Sequence, residues 1–183
     1  MKRLVFLVAV LLALPGVAGA ELSLLDKPQV FKALQNNDLD ALKKALQKGG
    51  APDQTDGKGM TPLMYAANSG HLEMAEVLVK FRANPNHIDR FGNTSLHWAA
   101  QNGDPDVLGV LLKAGGDANR DNRQGLTPLM FAARAGQADA VERLIKAGAK
   151  ADAVDFSGRT VLGWAEEARN SRVLSILKKA GAR

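Results

Sequence analysis

The 183-residue sequence contains no cysteine, only three histidines, and an aromatic content of 5%. The absence of cysteine excludes disulfide frameworks, cysteine-ligated zinc or iron–sulfur sites and thiol nucleophiles. The histidines His71, His87 and His97 occupy unrelated positions, so we expect no metal site. The sequence also lacks a Gly-x-Ser-x-Gly elbow, a phosphate-binding glycine loop and a recognisable pair of catalytic carboxylates. These absences favour a protein that is not an enzyme and requires no cofactor.

A strong excess of one charge is also missing. Lysine and arginine number 24 against 19 aspartate and glutamate residues, which gives a net charge of +5. This excess is too small to indicate nucleic-acid binding by itself. An apolar fraction of 46% excludes a disordered chain and favours one compact domain or a short repeat array.

Residues 1–20 have the pattern of a secretory signal peptide. Lys2 and Arg3 are followed by an apolar run from Leu4 to Leu14, a Pro-Gly break and small residues that end at Ala20. The apolar run is shorter than the roughly 20 residues needed to cross a bilayer, which favours cleavage over a retained anchor. We therefore predict a mature chain that begins at Glu21 and resides in a bacterial periplasm, with a retained membrane anchor as the alternative.

A repeat with a period of 33 residues runs through the remainder of the chain. Its clearest markers are four threonines that each precede a short apolar segment, namely Thr61, Thr94, Thr127 and Thr160. A fixed period of this length indicates a solenoid of stacked units. We predict a linker over residues 21–27 and an array over 28–183. Its units are an N-terminal capping unit (28–60), full units (61–93, 94–126 and 127–159) and a C-terminal capping unit (160–183).

Each unit is predicted to form a helix, a turn, a second helix and an extended loop. Thr61 and Thr127 each precede a proline, a pattern typical of a helix N-cap, and Asp104-Pro105 repeats it at a second helix. Glycines that follow the helices, such as Gly70 and Gly115, are expected to have positive φ. The loops carry Asp or Asn first and Gly fourth in a type I turn. We call the segments that contain these turns, residues 55–60, 88–93, 121–126 and 154–159, the fingers.

Neither short helix of a pair can bury its apolar face alone, so neighbouring units must stack. The predicted seam contains Leu63, Leu96, Leu129, Leu162, Leu78, Leu111, Leu144 and Leu177. In the last unit two apolar positions become Glu166 and Lys178, which indicates a capping unit that faces water. An aromatic column of Tyr65, Trp98, Phe131 and Trp164 is expected to pack between units, with its polar donors at the surface.

The motif Gly-x-Thr-Pro-Leu-x-x-Ala-Ala-x-x-Gly, followed by His71-Leu72-Glu73, resembles the ankyrin repeat over residues 28–183. Two positions depart from that pattern: its histidine is kept only as His97, and Arg82 occupies a glycine position. The resemblance implies an all-α solenoid whose β-turn or hairpin fingers project from stacked helix pairs. It also implies a non-enzymatic protein-protein interaction module that binds through a concave face made of fingers and first helices.

Mapped onto this face, the predicted partner-binding residues are Lys58, Met60, Asn68, Arg90, Phe91, Asn93, Gln101, Asn102, Arg123, Gln124, Arg134, Phe156 and Arg159. Its positive members follow one another along the array, so we expect an unidentified protein partner with an acidic surface patch. Nucleic acid is not expected, nor is a membrane unless the signal segment is retained. We expect the protein itself to be a monomer.

Resemblance to small exported bacterial ankyrin proteins suggests an accessory role for an envelope enzyme, such as a catalase in peroxide stress defence. Two alternatives remain open at this point. The protein could instead be an inhibitor or immunity-type protein that occludes an enzyme's active site, or a membrane-anchored envelope scaffold.

Overall fold

The computed structural model describes residues 29–182, and the predicted signal peptide (1–20) and linker (21–27) lie outside the described residues. Within this range ten α-helices form five consecutive pairs. Odd-numbered helices are the first of each pair and even-numbered helices the second. The helices are α1 (Gln29–Gln35), α2 (Leu39–Gln47), α3 (Pro62–Ser69), α4 (Leu72–Lys80), α5 (Ser95–Asn102), α6 (Pro105–Lys113), α7 (Pro128–Arg134), α8 (Ala138–Lys146), α9 (Val161–Ala168) and α10 (Ser171–Lys179).

The prediction of an all-helical fold is confirmed for the described part of the chain. No strand is present there, and the one isolated bridge joins Val154 and Thr160. The fingers are therefore turns, each closed by a hydrogen bond such as that from the Gly59 amide to the Asp56 carbonyl (3.0 Å). Between residues 29 and 182, no helix is both long and apolar enough to span a bilayer.

The helices begin where the local sequence rules place them. The Thr61 hydroxyl accepts from the Met64 amide (3.3 Å), and the Thr127 hydroxyl accepts from the Met130 amide (3.4 Å). Each threonine precedes a proline at the first helical position, where the missing N–H leaves no hydrogen bond unmade. Asp104 caps α6 in the same way, with a carboxylate that accepts from two backbone amides.

Every residue of positive φ among residues 29–182 lies in one of three columns of the repeat. The first column follows the first helices and contains Asn37, Gly70, Gly103, Gly136 and Arg169. The second follows the second helices and contains Gly49, Arg82, Gly115, Gly148 and Gly181. The third is the fourth turn residue of each finger, Gly59, Gly92, Gly125 and Gly158. The left-handed conformation thus belongs to the position in the unit and is kept even where the residue is not glycine.

The core is a continuous seam in which each first helix packs on the first helix of the next unit. Alanine pairs such as Ala66-Ala67 and Ala99-Ala100 are fully buried there, and their small side chains let the helices approach closely. Leu63, Leu96 and Leu129 are buried as predicted, but Leu162 is only partly buried. The reason is that α9 packs on a first helix on one side alone within the described chain. Glu166 and Lys178 are exposed, as expected of the last unit.

Arg82 provides a test of the second column, because its φ of 64° places an exposed non-glycine residue in the left-handed region. We predict that Arg82→Gly raises the free energy of unfolding by about 1 kcal/mol, since this conformation is strained for a residue with a Cβ. The midpoint of thermal unfolding should rise by roughly 2–4 °C. An unchanged or lower midpoint would contradict the prediction.

Gly115→Ala is the matched control in the next unit. A Cβ at Gly115 would meet no atom within 4 Å, so the substitution tests the backbone conformation without a steric clash. It should lower the free energy of unfolding by about 1 kcal/mol.

Candidate protein-binding surface

Each finger is organised by the side chain of its first turn residue. In every case one side-chain oxygen, Oδ1, accepts from the backbone amides two and four residues later. At Asp89, for example, these bonds run from Phe91 (2.8 Å) and Asn93 (2.9 Å). The four first turn residues are Asp56, Asp89, Asn122 and Asp155. This bonding satisfies the turn amides internally and gives all four fingers the same backbone shape.

Successive fingers are joined to one another by backbone hydrogen bonds. The amide of the second turn residue donates to the carbonyl of the third turn residue of the preceding finger. These bonds are Arg90 to Lys58 (3.2 Å), Arg123 to Phe91 (3.0 Å) and Phe156 to Gln124 (3.1 Å). A Cβ at Gly92 would lie 2.9 Å from the Arg123 nitrogen, so glycine is also required by this close approach. The fingers therefore form one connected edge whose backbone is held in a fixed position at the tips.

The aromatic column is anchored to the fingers through its polar atoms. Three donors each bond the second carboxylate oxygen of their own finger's aspartate: Tyr65 to Asp56 (2.8 Å), Trp98 to Asp89 (3.2 Å) and Trp164 to Asp155 (3.0 Å). Each donor is therefore held by a finger carboxylate, in a hydrogen bond that is only partly buried. Packing between units was correctly expected, since the rings lie against the core cluster.

At one place in the array both members of this aromatic–aspartate pair are replaced. The aromatic residue there is Phe131, which has no donor, and the first turn residue is Asn122 instead of aspartate. The Asn122 amide instead donates to Asn93 Oδ1 in the preceding finger (2.8 Å). Because no ring donor bonds this side chain, its amide nitrogen forms a further hydrogen bond between units.

The ionisation of these groups follows from their hydrogen bonds. Burial raises the pKa of the Asp155 carboxyl, but hydrogen bonds from Ser157 and the Arg159 amide outweigh it and leave the pKa below its ordinary value. The hydrogen bond to Asp56 raises the pKa of the Tyr65 hydroxyl. Burial also raises the pKa of the Asp56 carboxyl, but hydrogen bonds from the Met60 amide and the Tyr65 hydroxyl leave it below its ordinary value. Both carboxylates are therefore charged at neutral pH, and their charge is directed at the turn amides and the ring donors.

Most of the predicted binding residues are exposed. They are Lys58, Arg90, Phe91, Arg123, Gln124 and Phe156 on the fingers, and Asn68, Gln101, Asn102 and Arg134 on the first helices. Asn102 also takes part in the packing of units, because its amide donates to the Asn68 carbonyl (3.1 Å).

The predicted exposure of Met60 and Asn93 is wrong. Met60 is only 9% exposed and Asn93 only 4%. Both follow the glycine of their finger, at the repeat position where Leu126 is also buried. Asn93 bonds the Asp89 carboxylate (3.2 Å) and accepts from the Asn122 amide. Asn93 thus joins two fingers, and both residues are too buried to serve as contact sites for a partner.

Arg159 occupies the same repeat position but is half-buried and already paired. Its guanidinium donates to the Glu167 carboxylate and to the Gly163 carbonyl (2.7 Å), and it lies 4.1 Å from the centroid of the Trp164 ring. Its charge is therefore paired with a carboxylate of the next first helix, α9.

The fingers also carry all the large apolar side chains that are strongly exposed in the described chain. These are Ile88 (41%), Phe91 (66%), Val154 (55%) and Phe156 (73%). Ile88, Arg120, Arg123 and Phe156 line one open pocket of about 450 Å³ that spans three successive units. Val154 and Arg120 were not among the predicted binding residues. Their position near the finger turns is the sequence signal that could have identified them.

Comparison with protein families supplies the identity of the fold. A family model for ankyrin repeats, built from three copies, matches residues 30–122 and again residues 101–183. The chain belongs to the ankyrin-repeat family. The comparison with curated proteins gives no match. Ankyrin repeats bind protein partners, so this array is a protein-protein interaction module of a family that is typically not enzymatic. No cluster of three metal-ligating side chains occurs between residues 29 and 182.

His97 keeps the ankyrin histidine in one unit, and its two ring nitrogens link the start of α5 to the finger that follows this unit's helices. Nδ1 accepts from the Thr94 amide (3.0 Å), and Nε2 donates to the Leu126 carbonyl in the next finger (3.0 Å). In the preceding ankyrin unit Met64 replaces this histidine, and its sulfur takes the Thr61 amide at 3.5 Å. Burial lowers the pKa of His97 to about 4, although the bond to Leu126 opposes that change. The ring is therefore neutral at pH 7.

We predict that His97 makes the stability of this ankyrin array sensitive to acid. The unfolded chain binds a proton at its histidine near pH 6.5 and the folded chain near pH 4, so stability is lost as the pH falls between these values. The free energy of unfolding should decrease by about 2 kcal/mol from pH 7.5 to pH 5 through this residue. Urea unfolding at both pH values measures the change.

His97→Met, which installs the residue present at this position in the neighbouring units, should flatten that dependence. His71→Gln is the matched control, since Gln137 occupies the corresponding position of a later unit. A pH dependence that is identical in wild type and His97→Met would refute the assignment.

The pairing of Asp155 with Trp164 can be measured by a double-mutant cycle. We predict that Asp155→Asn and Trp164→Phe each destabilise the protein, and that the double variant, which reproduces the Asn122–Phe131 combination, loses about 1 kcal/mol less than the sum. Strictly additive changes in the free energy of unfolding would mean that the indole–carboxylate bond contributes nothing.

Proposed function

We propose that the protein is exported to the periplasm and there binds a partner protein through its fingers and first helices. The observation that carries this proposal is the confinement of the strongly exposed large apolar side chains to the fingers. Exposed aromatic residues beside arginine form the composition of interface anchors. Phe91 lies next to Arg90, and Phe156 lies with Arg123 at one pocket.

The rigidity of the finger edge supports binding without a large ordering cost. The backbone of the tips is fixed by bonds between fingers and by the side-chain oxygen of the first turn residue in each finger. A preorganised surface loses little conformational entropy on association, so more of the contact energy appears as affinity.

The charges of the face favour an acidic partner. Lys58, Arg90, Arg123 and Arg134 are exposed and form no ion pair with any other residue in the range 29–182. The aspartates of the fingers face the turn amides and therefore compensate little of this charge at the tips. Complementary acidic groups on the partner would speed association and set its orientation.

Export is supported by the pattern of residues 1–20 and fits the absence of cysteine. Resemblance to small exported bacterial ankyrin proteins suggests an envelope enzyme as the partner, with a periplasmic catalase in peroxide defence as the first candidate to test.

We predict that charge reversal on the fingers weakens partner binding more than the same reversal on the second helices. The protein, expressed from the 183-residue sequence and recovered from the periplasm of a Gram-negative host, would serve as bait for a periplasmic extract. Arg90→Glu with Arg123→Glu should weaken binding of the captured protein at least about tenfold. Lys43→Glu with Lys44→Glu, which changes the same charge on α2, should leave it unchanged. Equal effects would place the interface elsewhere.

An assay of the captured enzyme separates the remaining roles. Activity raised or preserved by the ankyrin protein supports an accessory, and activity abolished at saturation supports an occluding inhibitor. Soluble periplasmic material that begins at Glu21 would eliminate the anchored scaffold.

A further inference from the structure

Arg134 is held in an unusual setting on the concave face. It is the last residue of α7 and is exposed. Its guanidinium carbon lies 5.0 Å from the centroid of the Phe131 ring and 5.5 Å from that of the Trp164 ring. The two rings belong to successive units, so both the stacking of units and the cation–π contacts restrain this side chain.

The donors of Arg134 are uncommitted in the described chain. It forms no ion pair with any residue between 29 and 182. A guanidinium has five N–H donors in its plane, and contact with ring faces leaves the edge of that plane available. Arg134 is therefore both restrained and able to form a bidentate pair.

Arg159 is a second guanidinium in the same environment, and a carboxylate binds it there. It lies over the same Trp164 ring, and its edge is taken by the Glu167 carboxylate and the Gly163 carbonyl. One indole thus contacts two guanidinium groups, of which that of Arg159 is paired with Glu167 and that of Arg134 has no ion pair in the described chain. Glu167 occupies the repeat position of Arg134 in the next unit, so the charge at this position changes from positive to negative.

We propose that Arg134 binds a carboxylate side chain of the partner protein, with Phe131 and Trp164 holding the guanidinium in place. The inference rests on the proposed function, because a protein partner supplies the carboxylate. It adds to the apolar finger anchors a polar contact that fixes the register of the partner along the array. The planar guanidinium fork fits a carboxylate with two parallel hydrogen bonds, which a lysine cannot form.

Tryptophan emission provides a direct test, because Trp164 lies against the responding side chain. The full chain would be titrated with a capped peptide of glutamate, serine and leucine, with its glutamine counterpart, and with inorganic phosphate. The acidic peptide should change the emission saturably, and the glutamine peptide should not. Its dissociation constant should rise roughly tenfold in Arg134→Gln. The affinity for the acidic peptide should be only partly restored in Arg134→Lys.

Lys113→Gln is the matched control, since it removes one exposed positive charge from the end of a second helix. This variant should bind the acidic peptide as wild type does, and thermal unfolding would verify that both variants fold. Unchanged affinity in Arg134→Gln, or equal affinity for the two peptides, would overturn the assignment. Saturation by phosphate at the same concentration would overturn it in favour of a general anion site.

Capture of the periplasmic partner distinguishes this inference from the proposed function. If Phe91→Ala with Phe156→Ala abolishes capture and Arg134→Gln has no effect, the carboxylate site fails and the finger interface stands. If neither substitution weakens capture, both fail. Loss of capture in both variants supports both.

Discussion

Contact between successive first helices is the interaction on which the rest of the molecule depends. A helix of seven or eight residues is not stable in water by itself, so each unit must bury its apolar face against its neighbours. The fully buried alanine pairs allow the closest approach of these helices. That approach sets the separation of the units, and the separation brings each finger within hydrogen-bonding distance of the next.

The finger edge is therefore a product of core packing and not an independent structure. A finger's carboxylate shapes its own turn, while the bond to the preceding finger requires the correct separation of units. The aromatic column connects the two levels, because its rings pack on the core and its donors reach the finger carboxylates. Where the donor is missing, at Phe131, the turn residue bonds to the neighbouring unit instead. Any loss of stacking would consequently disturb the tips as well as the core.

Local rules made much of this architecture predictable from the sequence. Helix starts at Thr61 and Thr127, the turn at residues 56–59 and positive φ at Gly70 depend on a few adjacent residues, and the structure has each of them. The failure at Asn93 depends on a distant residue, because its side chain accepts a hydrogen bond from Asn122 in the next finger. A periodic pattern identifies equivalent positions but not the direction in which a side chain points once its neighbour is in place.

The same reasoning locates the binding surface along the array. At the repeat position that follows the finger glycine, the guanidinium of Arg159 pairs with Glu167 of the next first helix. In the middle units that position is buried, as at Asn93 and Leu126, and the exposed cations of the tips remain without acidic partners in the described chain. Charge on the finger tips that is available to a partner is therefore carried by Lys58, Arg90 and Arg123. Arg90 and Arg123 also donate the backbone bonds that join successive fingers, so the connected finger edge and its unpaired arginines occur at the same turn residues.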